Sequence, residues 1–220
     1  QEVKVKAEPG TKDYNELLTP FLADFSTHLK QKNWANITRL AMDERNPAEM
    51  KAMLKLVNNI APEFGISLAD NHKSYKLYPD QLKDLSVAFG ATIDEKDLAY
   101  RKDKNMISTF YLCCANEFPN SFTFSPPAEG IYIAWYAMAA NFDGYLRRSY
   151  NNWVKEPLID SRFRTWAAGD CAIVYPDARS SVRFEMFRDG IEDAEKIRIL
   201  REKFISQNET EKLNLLNQLV

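Results

Sequence analysis

Two adjacent carboxylates, Asp43 and Glu44, are the residues whose types and placement best fit chemistry on a substrate. They follow an apolar run, 37–42, that reads as a short strand buried on both faces. A helix start comes directly after them. Asn46 suits the N-cap, Pro47 the first helical position, and Glu49 lies three residues after Asn46 as in a capping box. The pair therefore falls in the tight turn between the C-terminal end of a strand and the next helix, the edge where parallel α/β folds do their chemistry. Carboxylates at that edge are candidates for catalysis. The second acidic pair, Asp94-Glu95, has the contrasting setting. It follows Thr92 in a polar stretch and reads as a helix cap.

The elements around the pair are legible from periodicity. Residues 13–32 carry Leu17, Leu18, Phe21, Leu22, Phe25 and Leu29 at helical spacing, after a polar, irregular lead-in over 1–12. A helix over 47–60 puts Met50, Met53, Leu54 and Val57 on one face. Strands are predicted over 65–71, 85–89, 106–114, 144–150 and 171–175, and helices over 80–85, 92–102, 130–142, 183–205 and 209–220. Long loops fill 115–129 and 154–170. This alternation predicts an α/β fold with a parallel sheet and crossover helices. The strands are too few for a closed eight-stranded barrel, which takes about 250 residues.

Composition narrows the function classes. A chain of 220 residues, 45% hydrophobic, can bury a full core, and a net charge of −2 gives no reason to expect nucleic acid. No apolar run approaches the ~20 residues of a membrane span. The first six residues are too polar for a signal peptide. With only Cys113, Cys114, Cys171, His28 and His72, neither a disulfide framework nor a zinc site is indicated, and no metal or cofactor is expected. Cys113 and Cys114 read as buried small apolar residues, and the acidic run 189–195 as the solvated start of a helix. Polar residues near predicted strand ends, Asn71, Tyr111, Tyr150 and Asn151, either bind substrate or cap loops. Trp153, just past the strand predicted over 144–150, is either a ring that a substrate packs on or a core residue.

A set of motifs carries a resemblance. Pro9-Gly10-Thr11-Lys12-Asp13-Tyr14, His28-Leu29-Lys30, Met42-Asp43-Glu44-Arg45 and Phe110-Tyr111-Leu112-Cys113-Cys114 occur in order. They are followed by Asn120-Ser121-Phe122-Thr123-Phe124, Asp143-Gly144-Tyr145-Leu146-Arg147, Tyr150-Asn151-Asn152-Trp153, Gly169-Asp170, Val174-Tyr175-Pro176, Arg179 to Glu185 and Asp189 to Asp193. The chain so read resembles glycoside hydrolase family 123 and the related bacterial domain of unknown function 4091. The resemblance implies a (β/α)8 TIM-type barrel, with strands four to eight and the C-terminal region present here. Residues 1–168 are then the C-terminal portion of the barrel, and residues 169–220 a strand and helices packed on it. The upstream half of the same protein becomes a required partner.

The activity implied by resemblance is that of a retaining exo-N-acetyl-β-galactosaminidase using the substrate's own 2-acetamido group, one of the exceptions to the two-carboxylate scheme. Glu44 is then the acid and base, and Asp43 the residue that orients the acetamide. Asn71, Tyr111, Tyr150, Asn151 and Trp153 are the substrate-binding candidates. The partner is a glycan or glycoconjugate ending in N-acetylhexosamine, and the resemblance implies an exported bacterial protein of the periplasm or cell surface. The alternative is a catalytically altered carbohydrate-binding or structural protein on the same fold. One position departs from the family pattern: Arg148 stands where a Trp is usual. It cannot fill the same apolar volume, but its stem can lie against a ring.

Overall fold

The computed structural model describes residues 7–160, 162 and 166–220. Part of the expected lead-in, residues 1–6, lies outside them. The chain forms two compact units, the first made of residues 1–87 and 92–107, the second of 88–91 and 108–220. Among the described residues, no helix is long and apolar enough to cross a membrane.

The first unit begins with α1 (Lys12–Gln31), whose N-cap Thr11 accepts a hydrogen bond from the Tyr14 N–H. Strand β1 (Arg39–Asp43) follows, then α2 (Pro47–Ile60), β2 (Gly65–Asp70), β3 (Leu82–Ala88) and α3 (Glu95–Asp103). The Asn46 side chain caps α2 as expected, accepting from Ala48 N and Glu49 N at 3.0 Å each. β1 pairs parallel to β2, from Arg39 opposite Gly65 to Asp43 opposite Ala69. β2 pairs parallel to β3, with a register shift between Ile66 and Ser67 that brings Asp70 opposite Val87. The core of this unit is Leu22 and Leu29 of α1, Met50, Leu54 and Val57 of α2, and Ile66, Leu68, Leu82, Leu85 and Val87 of the strands. All are nearly inaccessible to water, so they carry most of the hydrophobic stabilisation.

The second unit contains β4 (Ile107–Tyr111, its first residue belonging to the first unit), α4 (Ala128–Ala139), β5 (Gly144–Leu146), α5 (Val182–Ser206) and α6 (Thr210–Leu219). β4 and β5 pair parallel, Thr109 to Tyr111 against Gly144 to Leu146. Phe110, fully buried, sits among the rings of Phe89, Tyr136, Phe142 and Tyr145, with centroids 4.8–6.2 Å away. α4 and α5 approach so closely that a Cβ on Gly190 would meet the Ile131 Cα at 2.7 Å.

The fold is α/β, and every strand pairing within each unit is parallel, with strands following one another in chain order. Several expectations are corrected. β1 is not covered on both faces: Arg39, Ala41 and Asp43 are exposed and Leu40 and Met42 half-buried, a period-two pattern. Ile37, expected in the strand, lies in a 3-10 turn and is exposed. No helix covers 80–85, because β3 begins at Leu82 and buries Leu82 and Leu85 in the core. β5 stops at Leu146, and 171–175 makes only isolated bridges, Asn151 to Ala172 and Tyr175 to Arg179. The acidic run 189–195 lies in the interior of α5, where Arg188 and Lys196 pair with its carboxylates. Cys113 and Cys114 are exposed, because β4 ends at Tyr111 and the chain turns away from the core.

Candidate active site

In the first unit the chemistry-bearing residues stand at the C-terminal ends of β1 and β2. Asp43 is the last residue of β1, and the Glu44 N–H extends the ladder to the Ala69 carbonyl at 2.9 Å. Adjacent residues of a regular strand point to opposite faces. Glu44 escapes that rule: its φ is 43°, in the left-handed region, so the pleat breaks between the two carboxylates. Such a conformation costs a non-glycine residue about 1–2 kcal/mol. The turn holds it between the β2 ladder and the Asn46 cap. Both side chains are exposed to solvent. Arg45 faces Glu49 at 3.9 Å, an exposed pair that adds little stability.

The loop after β2 is built on Asp70, which is buried. Its Oδ1 accepts from the His72 N–H at 2.9 Å and the Ser74 hydroxyl at 3.1 Å, and its Oδ2 from the Tyr75 N–H at 3.4 Å. Asn71, between this anchor and His72, is exposed at the same edge as Asp43, since the two strands are parallel. Sequence reasoning selected Asn71 and missed Asp70. Replacing Asp70 with Ala leaves three donors without their acceptor, so the protein is expected to lose about 1–3 kcal/mol. A lowered urea midpoint with unchanged slope checks this.

In the second unit, Tyr111 ends β4 opposite Leu146 and is half-buried. Tyr150, Asn151 and Trp153 are exposed, but on a loop past β5 rather than at a strand end. The reason is Arg147, which turns inward. Its Nη2 donates to the Asp170 carbonyl and to Asp170 Oδ1 at 3.2 Å, and its Nη1 to Asn120 Oδ1 and the Tyr145 hydroxyl at 3.3 Å each. The loop then lies along 171–174. Asn152 N donates to the Cys171 carbonyl at 2.9 Å, Ile173 N to the Tyr150 carbonyl at 2.9 Å, and the Trp153 indole N–H to the Val174 carbonyl at 2.8 Å. Arg148 lies with its guanidinium 4.6 Å from the centre of the Trp166 ring, so a cation on a ring occupies the departing position.

Burial shifts the groups beneath this loop. It lowers the pKa of the Arg183 guanidinium, and it raises that of the Tyr145 hydroxyl and of the Cys171 thiol, which also feels the neighbouring Asp170 charge. Arg147, Asp170 and Arg183 fall inside the motifs that carry the resemblance. Their pairing across the chain has no local signal.

The family profile for the glycoside hydrolase 123 catalytic domain matches residues 1–200. The chain belongs to glycoside hydrolase family 123. A solved family 123 glycoside hydrolase from Clostridium perfringens, studied for the details of glycolipid glycan hydrolysis, superposes with a TM-score of 0.86 at 30% identity. The alignment covers 98% of this family 123 chain and 40% of the clostridial one, so the chain spans well under half of that protein's length. No curated protein matches. Within the family 123 chain, the catalytic-domain match takes in Asp43, Glu44 and all five substrate-binding candidates.

Proposed function

We propose that this family 123 chain is the part of a retaining exo-glycosidase that carries its catalytic pair, acting on terminal 2-acetamido sugars in the manner of an N-acetyl-β-galactosaminidase. The observation that carries the reading is the Asp43-Glu44 pair, at the C-terminal end of a parallel strand within a catalytic-domain match. Glu44, protonated, gives its proton to the glycosidic oxygen as the bond to the anomeric carbon breaks. The 2-acetamido oxygen attacks that carbon from the other face, forming an oxazolinium ion and releasing the alcohol. Asp43 holds the acetamide N–H and offsets the positive charge that develops there. Glu44, now a carboxylate, takes a proton from water as the water attacks the anomeric carbon, and the acetamide is restored. Two inversions give net retention.

In this reading Asn71, Tyr111, Tyr150, Asn151 and Trp153 bind the sugar. The strands are the fourth to eighth of a (β/α)8 barrel whose earlier strands come from an upstream part of the same protein. The open β1 strand supports that reading. A glycan or glycoconjugate ending in N-acetylhexosamine is the substrate. The full-length protein is expected to release p-nitrophenol from the N-acetyl-β-galactosaminide and not from the β-galactoside. Turnover of both would remove substrate assistance. Binding of the first without turnover would make the protein a lectin on a glycosidase fold.

A further inference from the structure

We propose that the buried Arg147–Asp170 pair is a positioning device that fixes the sugar-binding segment 150–153, and so sets substrate affinity rather than the chemical step. The inference rests on the reading that Tyr150, Asn151 and Trp153 touch the sugar. The two side chains meet at 3.2 Å and each is 9% exposed. A buried ion pair of this kind contributes little net stability compared with apolar residues of the same volume, but its geometry is exacting. The Arg147 fork reaches both the carboxylate and the carbonyl of Asp170, so it holds backbone as well as side chain.

Asp170 opens a short rail against which the segment lies. The next carbonyl, of Cys171, accepts from the Ser149 hydroxyl at 3.1 Å and from Asn152 N at 2.9 Å. Ala172 bridges Asn151, and the N–H groups of Ile173 and Val174 both reach the Tyr150 carbonyl, at 2.9 and 3.2 Å. Arg183 pins the two ends of the rail. Its Nη1 donates to the Gly169 carbonyl at 2.9 Å and its Nη2 to the Tyr175 hydroxyl at 3.0 Å. Gly169 has φ +86° and no room for a Cβ, which would lie 2.6 Å from Arg183 Nη1 and 2.9 Å from Thr123 N. The result is a segment whose backbone is held at 150, 151 and 152 while the Tyr150, Asn151 and Trp153 side chains stay exposed. The Trp153 ring is tied by its N–H to the Val174 carbonyl while the residue remains 38% exposed, the arrangement a sugar platform needs.

The test uses the full-length protein and the p-nitrophenyl N-acetyl-β-galactosaminide, with Asp170→Asn, Arg147→Lys, Trp153→Ala and the double variant Asp170→Asn/Trp153→Ala. Asp170→Asn keeps the shape and weakens the clamp. It is expected to raise KM about tenfold with kcat within about threefold, because displaced contacts away from the reacting bond weaken binding of ground and transition states alike. Arg147→Lys loses the fork and is expected to behave the same way, so it stands in if Asp170→Asn does not fold. Trp153→Ala should raise KM, and Asp170→Asn should then add little to it, since the two act through one segment. Additive effects, an unchanged KM in both clamp variants, or a fall in kcat alone would overturn the positioning role. An unchanged KM in Trp153→Ala would instead remove the sugar-binding reading of the segment, and the proposal with it.

Discussion

Glu44→Gln in the full-length protein is expected to lower turnover by about 10² to 10⁴ for substrates with ordinary alcohol leaving groups. The amide keeps the size and hydrogen-bonding shape of the carboxyl group but cannot deliver a proton. The loss should not be uniform. A leaving group that is already a good anion needs little protonation, so bond cleavage for such substrates should be nearly spared. Their turnover should then be limited by the second step, where the missing base still slows attack by water. A plot of log kcat/KM against leaving-group pKa should therefore be steeper for Glu44→Gln than for the unaltered protein. Equal losses across the series would remove Glu44 from the acid role.

Asp43→Asn should behave differently. Every 2-acetamido substrate must pass through the oxazolinium ion, whatever its leaving group, so the loss should be the same along the series. Its size should be about 10² to 10³, the usual effect of deleting a group aimed at developing charge. Asn can hydrogen-bond the acetamide but cannot offset its charge, and its own amide group can turn the wrong way. The parallel displacement of the two plots, against the change of slope for Glu44→Gln, separates the two roles without any assumption about binding. A fully active Asp43→Asn would leave the acetamide without its orienting residue.

The parts of this site that were legible in the sequence are those with local causes. The Asn46 cap and Pro47 mark the start of α2, and that start places Asp43-Glu44 in the turn before it. The α1 and α2 patterns are strong because amphipathic periodicity repeats over several turns. Counted together with Ile37, the β1 run looks mostly apolar. Without Ile37 the run Arg39, Leu40, Ala41, Met42, Asp43 shows the alternation that the structure has. The start of β3 at Leu82 is masked in the sequence by Lys83 and Asp84, which interrupt its apolar residues.

Other features had no local signal to read. β5 ends at Leu146 because Arg147 pairs with Asp170, a contact across 23 residues. That contact moves Tyr150, Asn151 and Trp153 from an expected strand end to a loop held by 171–174. The positive φ at Glu44 is likewise a property of the turn and its ladder bond to Ala69, not of the Glu side chain. The anchoring role of Asp70 has no mark either, since a buried carboxylate and an exposed strand-end carboxylate look alike in sequence.

The central claim is that the substrate supplies its own nucleophile while Asp43 and Glu44 serve it. Fluorine substitution on the 2-acetamido methyl group tests this most directly, because each fluorine withdraws charge from the acetamide oxygen and leaves the glycosidic bond in place. With the full-length protein and a series of p-nitrophenyl glycosides bearing acetyl, fluoroacetyl, difluoroacetyl and trifluoroacetyl groups on nitrogen, log kcat/KM is predicted to fall steeply with each fluorine. A rate independent of fluorine content would contradict participation of the acetamide, and with it the roles assigned to Asp43 and Glu44.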